Sequence, residues 1–185
     1  MGALRNDDLY TYDDYRKWED ADRCELIDGE IYVMSPAPTW KHQGILFELS
    51  GQFRDFLKDK PCKAFAAPFD VRLNAAARDN TVVQPDLVVI CDRSKLVDTG
   101  CVGAPDMVIE IISPSTEKRD RVDKFDQYLQ AGVREYWIVD PDSKTVTVNI
   151  LDNKRYYSAA YAETDVVPVH VLEGCVINLA DVFAE

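Results

Sequence analysis

Pro85-Asp86-Leu87-Val88-Val89-Ile90 and Met107-Val108-Ile109-Glu110-Ile111-Ile112 decide how this chain is read. Each is a short apolar run, and each reads as a buried strand. Each also carries one acid. A carboxylate is costly to take out of water unless it is paired or coordinated, so both acids need partners. If the two strands pair antiparallel, the start of one lies beside the end of the other, and Asp86 and Glu110 converge at one sheet edge. Pro85 donates nothing to a ladder, which lets the strands separate where Asp86 begins. That leaves room for a hydrated divalent ion, since Mg²⁺ takes one or two carboxylates together with waters and phosphate oxygens. For either acid alone, the competing reading is a salt bridge or a backbone cap.

The segment after the second run adds a cation. Ser113-Pro114-Ser115-Thr116 breaks the strand, a helix is expected over 118–131, and Gly132 sits where a left-handed C′ residue belongs. Stepping about 100° per residue, Val122, Phe125 and Leu129 form the apolar stripe, with Tyr128 beside it. Lys124 and Tyr128 are four apart and share one side of the helix. Lys124 thus stands at the boundary of core and cleft, where an amine orients a hydroxide or neutralises a phosphate. Arg119, Arg121 and Tyr128 are candidate phosphate contacts. A solvated charge is the competing reading for the basic residues. Upstream, Glu30 is a candidate outer carboxylate, and His42 is placed to reach substrate or Glu30. His170, between Val169 and Val171, reads as structural.

The remaining pattern is mixed α and β without repeats or low-complexity linkers, so 1–185 reads as one domain. Thr11 caps a helix expected to run to Glu19. Cys24-Glu25-Leu26-Ile27, Asp28-Gly29 and Glu30-Ile31-Tyr32-Val33-Met34 form a hairpin with an Asp-Gly turn, ended by Ser35-Pro36. A long helix is expected over 39–58 from the spacing of Ile45, Leu46, Leu49, Phe53, Phe56 and Leu57. Strands are expected over 63–67, 69–73, 135–139, 145–151, 155–161 and 170–177, with a closing helical turn at 179–183.

Composition bounds the function. Hydrophobic residues make up 46% and charged residues 29% of the chain, a globular balance. No apolar stretch approaches the length of a membrane span, so no membrane role is expected. The start lacks a basic segment followed by an apolar one. The five scattered cysteines read as reduced, mostly buried thiols of a cytoplasmic protein. Two histidines exclude a multi-histidine metal site. The net charge of −12 opposes a broadly basic phosphate-binding surface. A metal ion and a local basic patch can outweigh it.

Several of these motifs together resemble the Uma-two family, restriction-endonuclease-like proteins of the PD-(D/E)XK superfamily. The residues that carry the resemblance are 25–36 followed by His42, Gln84-Pro85-Asp86-Leu87-Val88-Val89, 109–116, Lys124-Phe125-Asp126-Gln127-Tyr128 and 132–141. The resemblance implies a restriction-endonuclease-like α+β fold, a mixed sheet flanked by helices, here with additional C-terminal strands. It implies DNA phosphodiester cleavage dependent on Mg²⁺ or Mn²⁺. Carried over, Asp86 and Glu110 are the paired acids, the Ile111 carbonyl is a third metal ligand, and Lys124 positions the attacking water. The superfamily's lysine two residues after the second acid is replaced by Ile112, and Lys124 of the next helix stands in for it. A homodimer is expected, because two active sites on a two-fold axis cut both strands of a duplex. Tyr156, Tyr157 and Tyr161 are interface candidates. The alternative is a nuclease-like module that binds nucleic acid or protein without turnover, favoured by the −12 charge and by Ile112.

Overall fold

The structure is a computed structural model that describes residues 9–18, 24–34 and 37–184. Glu19 and Ser35-Pro36, expected to end the first helix and the hairpin, lie outside the described residues. Helix α1 is one short turn, Tyr12–Tyr15, so the helix expected from Thr11 ends early, with Arg16 as its C-cap. Strands β1 (Cys24–Ile27) and β2 (Glu30–Val33) pair antiparallel around Asp28-Gly29. Both turn residues have positive φ, 51° and 85°, the backbone that a two-residue hairpin with right-handed strand twist requires.

Helix α2 (Trp40–Leu57) follows its N-cap Thr39, whose hydroxyl accepts from the His42 N–H. Next come β3 (Lys63–Ala66), β4 (Asp70–Arg72), β5 (Val82–Val83), β6 (Leu87–Ile90), β7 (Leu96–Val97), β8 (Gly100–Val102) and β9 (Met107–Ile111). A π-helical segment, Arg119–Asp123, runs into α3 (Lys124–Ala131), which Gly132 ends at φ 86° as expected. The chain closes with β10 (Glu135–Asp140), β11 (Thr145–Asp152), β12 (Arg155–Ala162), β13 (Val166–Pro168), β14 (Val176–Asn178) and α4 (Leu179–Val182). Of the strand expected over 170–177 only the end is strand, in β14; residues 170–175 form the turn that joins it to its antiparallel partner β13.

The strands form two mixed six-stranded sheets, ordered β12-β11-β10-β9-β6-β3 and β2-β1-β5-β4-β8-β7. In the first, β6 and β9 pair antiparallel with Leu87 opposite Ile109, while β9 and β10 run parallel. The parallel pair follows from the π/α3 crossover between them. Alternation sorts its side chains. Leu87, Val89, Met107, Ile109, Ile111 and Trp137 face α2, and Val88, Ile90, Val108, Ile112, Tyr136 and Ile138 pack in a second core with Tyr128 of α3. Glu110 falls between Ile109 and Ile111 and so points to the α3 side.

Cys62 and Cys91 flank the β3–β6 ladder, in which Lys63 faces Ile90, and they form a disulfide. This corrects the expectation that all the thiols are reduced. The cause is cross-strand register, which places residues 29 apart in sequence directly opposite each other. Cys24, Cys101 and Cys175 are buried and lie outside this bridge.

Candidate metal and phosphate site

The β6–β9 register puts Asp86, just ahead of β6, beside the end of β9. One oxygen of Asp86, Oδ2, accepts the Ile111 N–H at 2.8 Å and lies 3.3 Å from His42 Nε2. The first turn of α2 delivers His42 there. Burial alone would lower the His42 pKa, but the Asp86 carboxylate and the Ile111 backbone outweigh it and the value is raised. Asp86 keeps 19% of its side chain exposed, so it stands at the open end of the arrangement.

Glu110 is almost fully buried. Its Oε1 accepts from Lys124 Nζ at 2.9 Å and from the Tyr128 hydroxyl at 2.6 Å. Lys124 Nζ also lies 2.8 Å from Glu25 Oε1 and 3.5 Å from Asp120 Oδ1, with its side chain 5% exposed. Glu25 Oε1 accepts the Gln84 N–H at 2.9 Å, which ties β1 of the second sheet to the strand carrying Asp86. Arg119 approaches the other oxygen of Glu25 at 3.8 Å and lies over the Tyr32 ring.

One ammonium therefore serves three buried acids. Burial would depress the Lys124 pKa, but Glu110, Glu25 and Asp120 hold it well above the ordinary lysine value. Burial pushes Glu110 well above the usual carboxylate range; Lys124 opposes this, and Asp120, Asp86 and Glu25 add to it. The neighbouring carboxylates thus hold the proton on Lys124 against burial, and on Glu110 they add to the larger effect of burial. Asp120 is raised for the same reasons, burial first.

The π-helical segment sets the inward row Asp120, Lys124, Tyr128. A wide π turn rotates the residues that follow it relative to an ideal α-helix. Val122, placed at the origin of the apolar stripe from sequence, is consequently 50% exposed, and Lys124 takes the inward position instead. Ile112, where the superfamily lysine would stand, is buried in the same core as Tyr128. Glu110 faces that side as well, so a lysine from the helix reaches it across the gap.

The expected residues are not all brought together. Glu30 is exposed, and its side chain accepts from Tyr32, so His42 contacts Asp86 rather than Glu30. Tyr128 has no exposed surface and its hydroxyl serves Glu110, which removes it from the candidates for direct phosphate contact. Arg121 pairs with Glu117 at 2.9 Å and approaches Asp140 at 3.6 Å. Glu25 and Asp120 were not singled out from the sequence. For Glu25 the signal was present: Cys24-Glu25-Leu26-Ile27 is an acid in an apolar run, as Asp86 and Glu110 are. Among the described residues, no three His, Cys, Asp or Glu side chains form a ready metal cage.

The mixed sheet, with buried acids at the end of an antiparallel pair and a lysine supplied across them by a helix, has a nuclease-like fold. The solved structure of a "putative nuclease belonging to DUF820" from Anabaena variabilis shares this fold, with a TM-score of 0.77 at 23% identity over 95% of this chain and 98% of that one. The Uma2 family, described as "Putative restriction endonuclease", matches residues 12–180, and the chain belongs to it. The uncharacterized protein slr1290 of Synechocystis is 32% identical over 134 residues, 71% of this chain and 68% of that protein.

Proposed function

We propose that the chain is a divalent-metal-dependent endonuclease that hydrolyses DNA phosphodiester bonds. The observation that carries the reading is the convergence of Asp86, Glu110 and the Lys124 amine at the end of the β6–β9 pair, in a chain of the Uma2 family. The donor set suits Mg²⁺ or Mn²⁺. Asp86 is accessible and carries hard oxygens beside the backbone of Ile111, and such ions need only one or two carboxylates plus waters and substrate oxygens. Asp86, Glu110 and the Ile111 carbonyl are the groups assigned to the ion, which when bound lowers the pKa of a water and offsets charge on the phosphate.

The chain's own residues supply the rest. Lys124 holds Glu110 and Glu25 in place and offsets part of their charge, acting by electrostatics rather than as a free base. Arg119, near the acid cluster, is the phosphate contact, in preference to the doubly paired Arg121. The reading includes a cytoplasmic location and a homodimer. Tyr157 is 59% exposed on the edge strand β12 and suits a dimer contact, whereas Tyr156 donates to the Val133 carbonyl and Tyr161 packs on the protein's own core. Light scattering that reports only monomer at micromolar concentrations removes the dimer.

A second reading, a binding module without turnover, draws on one observation: Glu110 is already engaged by Lys124 and Tyr128. Nicking of supercoiled plasmid with Mg²⁺ and with Mn²⁺ decides between them. The nuclease reading requires divalent-dependent nicking that Asp86→Asn abolishes. Mn²⁺ binding by calorimetry with no cleavage of DNA or RNA favours the module.

A further inference from the structure

We propose that His42 is a nitrogen ligand to the divalent ion of the Asp86 site and biases that site toward Mn²⁺ over Mg²⁺. The inference rests on the metal-dependent reading above and deepens it. His42 Nε2 and Asp86 Oδ2 stand 3.3 Å apart. Two cis ligands of one ion at ordinary metal–ligand distances of roughly 2.1 Å are separated by about 3 Å. The pair therefore already has the spacing of neighbours in a coordination shell.

The surroundings fit such a role. The His42 side chain is only 12% exposed, and its second ring nitrogen, Nδ1, is buried without a hydrogen-bond partner. Nε2, rather than Nδ1, is the ring nitrogen beside the accessible carboxylate. An ion seated between these two atoms would take one nitrogen and one oxygen donor from the chain. The chemistry of an imidazole ligand then sets the preference: nitrogen donors raise affinity for Mn²⁺ and later transition ions, whereas Mg²⁺ favours an all-oxygen shell.

The test is pulsed electron paramagnetic resonance of tag-free protein loaded with Mn²⁺. A directly bound imidazole gives ¹⁴N modulation of the Mn²⁺ echo. The chain has only two histidines, His42 and His170, so assignment needs two variants. The modulation persists in His170→Gln and disappears in His42→Gln. Calorimetry on His42→Gln shows Mn²⁺ affinity falling about tenfold or more, with Mg²⁺ affinity nearly unchanged. If His42→Gln fails to fold, the modulation in the parent protein and in His170→Gln decides the matter. Mn²⁺ that binds, is lost in Asp86→Asn, and shows no ¹⁴N modulation overturns the His42 assignment and leaves the metal-dependent reading standing. An absence of Mn²⁺ binding at millimolar concentrations overturns both.

Discussion

Replacing Lys124 by methionine tests the central electrostatic arrangement. The methionine side chain keeps much of the lysine stem's bulk and removes only the ammonium. Lys124 Nζ lies 2.8 Å from Glu25 and 2.9 Å from Glu110, with Asp120 at 3.5 Å, and its side chain is 5% exposed. At an effective dielectric of about 20, each of the two closest contacts corresponds to roughly 6 kcal/mol of Coulomb attraction. Much of that attraction is cancelled by the desolvation of the ammonium. Removing one partner of a buried ion pair costs about 3–5 kcal/mol, because the remaining charge is left uncompensated. For a chain of this length that is a fall in melting temperature of roughly 6–20 °C. The loss should also depend on pH. Without the ammonium, Glu110 and Asp120 become neutral by taking up protons, which is easier in acid, so the destabilisation should be larger at pH 8 than at pH 5. Urea unfolding followed through the fluorescence of the buried Trp137 measures both values. A loss below about 1 kcal/mol at pH 8 would mean that Lys124 is a solvated surface charge, and the account of the cluster would fail.

Three further outcomes follow from the same geometry. Asp86→Asn should remove divalent-ion binding at a cost of no more than about 1 kcal/mol, since an amide oxygen still accepts the Ile111 N–H; calorimetry combined with a thermal melt reads both, and retained metal affinity would refute the ligand role. Glu110→Gln should flatten the pH dependence of stability in metal-free protein. The folded pKa of Glu110 is raised above the ordinary 4.5, so the native state binds the extra proton, and stability falls as pH rises through the window above that value. Melting temperatures of parent and variant between pH 5 and 8 that run parallel would contradict this. The Cys62→Ser, Cys91→Ser double variant should lose roughly 3–4 kcal/mol, the chain-entropy value for a bridge closing 29 residues; alkylation and mass measurement of the parent protein report whether the pair is oxidised.

The acid-bearing strands, the Asp-Gly hairpin, the long helix and its inward leucines, and the Gly132 stop were all legible in the sequence. Strand and helix periods, turn chemistry and buried acids are local signals, and local sterics set them. The antiparallel approach of Asp86 to Glu110 was legible as well, because two adjacent apolar runs have few ways to pair. The exchange of Glu30 for Glu25 was decided by tertiary structure. By the strand register both project from the same face of the hairpin, and only long-range packing determines that Glu25 is covered, held by Lys124 and the Gln84 N–H, while Glu30 stays exposed. The phase of the Lys124 helix was likewise hidden, because an assumed α-helical step cannot reveal a π turn. Nor could sequence spacing bring Cys62 to Cys91 or His42 to Asp86, since those contacts depend on sheet register and on where α2 docks. Local chemistry fixed which residues carry charge into the core, and long-range packing decided which of those charges meet.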